Sequence, residues 1–150
     1  MGVVQTSVGS DLQGAWQALC VRWERHGYGA LSEDERAWFN LRSLIDFVEN
    51  GGLISYFYNS GADTLEDCRT ALRRLDAHDV LACVERVAGL FGADVPRTVE
   101  ERNRIIDSWP DGDEHDALLD DVERELMPLV SDLDGKLEAF VSSQGLLDPA

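Results

Sequence analysis

The chain has 150 residues, enough for one domain with its own core, and 44% hydrophobic content sets it apart from disordered proteins. Only 13 Lys and Arg stand against 29 Asp and Glu, a formal net charge of −16. A field of that sign repels nucleic acid and anionic membrane and attracts basic surfaces, so direct DNA or lipid binding is disfavoured.

No apolar run reaches the roughly 20 residues that a membrane span requires. The stretch from Met1 to Thr6 lacks a basic patch followed by an apolar run, so no signal peptide is expected and the cytoplasm is the default location. Cys20, Cys68 and Cys83 lie far apart, without C-x-x-C spacing, and read as buried thiols in helical stretches.

In chain order, residues 1–9 are small and polar and are expected to fray. Ser10 or Asp11 can cap a helix that carries Leu12, Trp16, Leu19 and Trp23 at helical spacing and ends at Gly27 and Gly29. Ser32-Glu33-Asp34-Glu35 is a capping box and opens a second helix with Trp38, Leu41, Leu44, Ile45 and Val48 on one face. Asn50-Gly51-Gly52 stops it. The aromatic, β-branched run from Leu53 to Tyr58 has strand character but no partner strand elsewhere, which favours a short helix. After a turn at Asn59-Ser60-Gly61, a cap at Asp63-Thr64-Leu65-Glu66 opens a helix with Cys68, Leu72 and Leu75. Another follows with Val80, Val84, Val87 and Phe91.

Thr98-Val99-Glu100-Glu101 is a second capping box, for a helix that includes Ile105 and Trp109. Beyond Pro110 the acidic run Asp111-Gly112-Asp113-Glu114 starts a helix with Leu118, Leu119, Val122 and Leu126, which Pro128 is expected to break or kink. A last helix uses Leu133, Leu137, Phe140 and Val141 before Gly145. The prediction is a single all-α domain over residues 1–150, of about six to eight helices.

Chemistry-bearing motifs are scarce. His26, His78 and His115 form no zinc-type pair, and Asp111-x-Asp113 fails as a calcium loop because Asp116 stands where Gly is needed and Val122 where Glu is needed. No phosphate-binding glycine loop or nucleophile elbow occurs. No metal, no cofactor and no catalytic residue is expected, and the chain reads as a non-enzyme.

The acidity is concentrated. Residues 107–134 hold eleven acids and one base, Arg124. On a helix Asp113, Asp116, Asp120 and Glu123 recur at three and four and stack into a stripe, with Asp121 and Glu125 as a flank. Such a row can imitate a phosphate backbone, so Asp111, Asp113, Glu114, Asp116, Asp120, Asp121 and Glu123 are the candidate partner-binding residues.

Trp38, then Val48-Glu49-Asn50-Gly51-Gly52 and Tyr56-Phe57-Tyr58-Asn59-Ser60-Gly61, resemble the signature of the DNA mimic protein 19 family, with the similarity spanning about 30–143. The chain departs from that pattern at Leu53, where an aromatic is usual, at Ser55, where Gln is, and at Asp76, where Gly is common. The resemblance implies a helical fold, a homodimer, and a relative that imitates DNA to occupy a transcription factor's DNA-binding face. The shared motif is not acidic, so Trp38, Asn50, Gly51, Gly52, Tyr56, Phe57 and Asn59 are read as structural.

The leading functional reading is an acidic interaction protein, a DNA mimic, that docks residues 107–134 on the basic face of a DNA-binding protein. An immunity or inhibitor protein facing a basic toxin or nuclease has the same electrostatics. The alternative from another class is a small-ligand or enzyme domain with a pocket near Asn50, Tyr56 and Asn59.

Overall fold

The computed structural model describes residues 3–147, with side chains from residue 12 onward. Among these residues there is no strand. Seven α-helices follow one another: α1 (Val3–His26), α2 (Glu33–Gly51), α3 (Leu53–Tyr58), α4 (Leu65–Arg74), α5 (His78–Ala88), α6 (Val99–Asp107) and α7 (Glu114–Ser143). Short 3-10 turns lie at Tyr28–Ala30, Ser60–Thr64 and Gly89–Phe91. No described helix is long and apolar enough to cross a membrane.

The predicted start of α2 is present in full. Ser32 Oγ accepts the Glu35 N–H at 3.1 Å and Glu35 Oε1 accepts the Ser32 N–H at 2.8 Å. Glu35 also pairs with Arg22 of α1, joining cap and neighbouring helix. At α6 only half of the predicted box forms, since Thr98 Oγ1 accepts the Glu101 N–H while its hydroxyl donates to the Glu101 carboxylate. Trp109 lies past the end of α6. Thr64 precedes α4 without a side-chain cap bond, because its hydroxyl donates to Asn40 Oδ1 at 2.6 Å instead.

Two boundaries differ more. Of the segment expected to fray, residues 1 and 2 lie outside the described residues and the remainder enters α1, so the helix does not begin at Ser10 or Asp11. Val3, Val4, Thr6, Ser7, Val8 and Gly9 are weak helix formers, but no proline interrupts them, and each added residue of a nucleated helix gains a hydrogen bond. Pro128 does not end a helix either. The last two predicted helices are one, α7, about 45 Å long at ~1.5 Å per residue. Proline forfeits the bond to the Arg124 carbonyl, which lies on the exposed side of the helix. Val122, Leu126, Val130, Leu133, Leu137 and Val141 bury one continuous stripe across it, each contributing about 1.5–3 kcal/mol, and that outweighs the lost bond.

The core forms where α2 packs on α3 and α4, and where α7 lies across α2 and α5. α1 covers one side of α2 through aromatic rings: Trp16 meets Trp38 with centroids 5.4 Å apart, and Trp23 stacks on Phe39. Cys68 and Cys83 are buried and Cys20 partly so. α4 ends in a Schellman turn, with the Ala77 N–H on the Leu72 carbonyl and Asp76 at φ 54. That left-handed φ accounts for the residue at which the family pattern favours glycine.

Candidate interaction surface

The shared motif is a knot tied by an arginine. Gly52 has φ 82, and a Cβ there would sit 2.6 Å from Glu123 Oε2. A Cβ on Gly61 would meet the Tyr56 ring at 2.5 Å. Tyr56 and Phe57 are fully buried, and Trp38 nearly so. Arg102 of α6 is itself fully buried: Nε donates to the Phe57 carbonyl at 2.8 Å, Nη1 to the Pro96 carbonyl at 3.0 Å, and Nη2 to the Asn59 carbonyl and Asp63 carboxylate at 2.8 and 2.6 Å. A planar fork with five donors suits four acceptors arranged around it. Sequence reasoning passed over Arg102. Its signal is position, since it lies one helical turn before Ile106, on the apolar face of α6.

Tyr56 leaves one polar group poorly satisfied. Its hydroxyl is buried with only the Cys68 thiol, a weak partner, beside it, and burial pushes it well above the usual phenol range. Beside it, burial pushes the Cys68 thiol up to about 12, so that cysteine is inert.

The seven candidate acidic residues separate into four groups. Asp111, Glu114 and Asp120 are exposed and bond to no side chain among the described residues. Asp113 and Asp116 organise the start of α7: Asp113 Oδ1 accepts the His115 N–H and Asp116 Oδ2 accepts the Gly112 N–H. Bonding to His115 holds the Asp113 carboxyl below its usual range, and the His115 ring stacks on Trp109 at 4.7 Å. Asp121 turns to the opposite flank, where Arg86 of α5 pairs with it at 2.8 Å and with Glu125 at 3.0 Å. Arg86, with Arg124, lowers the Asp121 carboxyl. Glu123 points toward the motif and its Oε2 accepts the Leu53 N–H at 3.0 Å, the first free donor of α3.

The acidic run is therefore divided. From Asp107 to Asp120 no carboxylate pairs with Arg or Lys among the described residues. From Asp121 onward bases from α2, α5 and α7 compensate it: Arg86 as above, Arg42 on Asp134 at 3.1 Å, and Lys136 on Asp132 at 3.8 Å. Asp107 accepts a hydrogen bond from the Tyr58 hydroxyl at 2.9 Å, which raises that phenol.

The alternative pocket does not assemble from its three residues. Tyr56 is buried, the Asn50 amide donates to the Asp46 carbonyl and the Asn59 amide to the Ser55 carbonyl, each at 2.8 Å. What lies beside Asn50 is an open groove against α7. On the opposite side Tyr28, Asn40, Thr64 and Asp67 form a hydrogen-bonded chain, and burial plus the bond to Asp67 push Tyr28 up to about 12. No described group of three or more His, Cys, Asp or Glu could hold a metal ion.

A family model described as DMP19-like protein matches residues 29–144, which spans everything from the turn after α1 to the end of α7. No curated protein and no solved structure matches the chain.

Proposed function

The chain belongs to the DMP19-like protein family, and from that premise we propose that it is a non-enzymatic interaction protein that offers the α6–α7 turn to a basic protein surface. The face it fits is the nucleic-acid-binding face of a DNA-binding protein. The observation that carries this reading is the absence of any Arg or Lys ion pair from Asp107 to Asp120 among the described residues. Carboxylates held close together without counter-charges repel one another by a few tenths of a kcal/mol per pair, a repulsion that a basic partner relieves. Asp116 and Asp120 lie about 6 Å apart along α7 at 1.5 Å per residue. One strand of a duplex carries a charge every ~3.4 Å. The helix row alone is thus sparser than DNA, and Asp107 at the end of α6 and Asp111 in the turn add two further carboxylates to it.

Capture of partners from native lysate at low and high salt tests this. A basic DNA-binding protein is expected on the wild-type chain, released by salt and lost from the triple variant Asp111→Asn, Glu114→Gln, Asp120→Asn. These three side chains make no bond within the described fold, so the variant keeps its stability. Partners that resist salt and ignore the triple variant would defeat the reading.

A further inference from the structure

The groove between the Asn50-Gly51-Gly52 turn and α7 has a volume of about 380 Å³. Its walls have two chemistries. Ile54, Leu119 and Met127 are apolar, and Met127 is 47% exposed, the most exposed large hydrophobic side chain of the described fold. Glu49, Asp120 and Glu123 are acidic. Glu49 touches a base only loosely, with Arg42 at 3.9 Å, and Asp120 has no ion pair. Glu123 lines the groove, and its Oε1 is shielded from solvent in the wall without a hydrogen-bond donor among the described groups. A buried acceptor without a donor is costly, so turning this carboxylate toward a donor that enters the groove relieves that cost.

We propose that this groove receives a basic, amphipathic segment of the partner protein, a Lys or Arg whose stem lies on Met127, Leu119 and Ile54 and whose head reaches Asp120 and Glu123. The proposal rests on the interaction reading above and names what one part of that surface selects. Charge complementarity chooses the occupant. A second copy of a chain with net charge −16 brings like charge to an acidic rim, and nucleic acid and anionic lipid do the same. A long basic side chain satisfies both wall chemistries, because its methylenes cover apolar surface while its head stays polar. At ~30 Å³ per water the volume equals about a dozen waters, room for such a side chain with an apolar neighbour. The motif then has a second consequence: Gly52 leaves the space in which Glu123 lies, and so shapes the groove wall.

The test uses the full chain, isotope-labelled, with two synthetic probes of equal charge: an amphipathic helical Lys/Leu peptide and an oligo-lysine. The Lys/Leu peptide is expected to bind about tenfold tighter and to shift the Gly51, Gly52 and Leu53 amides. Met127→Ser, at an exposed position, is expected to remove most of that preference by weakening the Lys/Leu peptide far more than oligo-lysine. Should both peptides bind equally, shift only residues 107–118 and ignore Met127→Ser, the groove proposal is overturned while the interaction reading stands. Binding of neither peptide overturns both. Groove amides that respond to protein concentration without peptide overturn the proposal in favour of a second copy.

Discussion

The knot around Arg102 and the turn between α6 and α7 show opposite uses of the chain's few bases. In the knot one arginine is enclosed and four oxygens converge on it, so positive charge is spent inside the fold. Around the turn, a few residues further along, no described Arg or Lys pairs with the carboxylates from Asp107 to Asp120. The first arrangement fixes where α3 and α6 lie. The second leaves Asp111, Glu114 and Asp120 as a charged edge that no described bond of the fold uses. Family motif and interaction surface are therefore different residues, and the motif acts on the surface by holding it: Gly52 admits Glu123, and Glu123 ties α7 to α3.

Variants of the knot sharpen this contrast through stability. Arg102→Met, which strands the buried Phe57 carbonyl and removes the donors to the part-buried Asn59 and Pro96 carbonyls and to Asp63, is expected to lower unfolding free energy by about 3 kcal/mol in denaturant titration. Gly61→Ala drives a methyl into the Tyr56 ring and should lose about 1–3 kcal/mol by the same measurement. Tyr56→Phe is expected to change stability by no more than about 1 kcal/mol, since it removes a buried hydroxyl whose one polar neighbour is the weakly bonding Cys68 thiol. A clear loss of stability there would mean that the hydroxyl is bonded in solution.

The smallest effect probes the compensated part of α7. The Asp121 carboxyl is lowered in the folded chain, so its contribution is present above the unfolded value of about 3.9 and fades as pH falls through the folded one. Thermal melts of wild type and Arg86→Ala should differ slightly at pH 6 and converge near pH 2. A difference that persists at pH 2 would point to packing by the Arg86 stem rather than to its charge.

Local signals were legible in the sequence. The box at Ser32 and Glu35, the short helix after Gly52 and the burial of Trp38, Tyr56 and Phe57 all depend on neighbours within a few residues or on plain hydrophobicity. What was illegible depends on distant partners. Nothing near Asp121 announces that Arg86, 35 residues earlier, neutralises it, nor that Arg42 reaches Asp134 across 92. Glu123 shares a helical stripe with Asp120, yet it turns inward because α3 presents a bare N–H there. Pro128 reads as a helix end until the apolar stripe that bridges it is placed against α2 and α5.

The central claim is that the carboxylates at the α6–α7 turn lack Arg or Lys partners, whereas Asp121, Glu125 and Asp134 of α7 have them. Its most direct measurement is the salt dependence of oligo-lysine binding for three chains: wild type, the turn triple Asp111→Asn, Glu114→Gln, Asp120→Asn, and a matched triple Asp121→Asn, Glu125→Gln, Asp134→Asn. The turn triple is expected to weaken binding by about tenfold at low salt and to flatten the salt dependence, with a far smaller effect from the matched triple. Equal losses from the two triples would contradict the account.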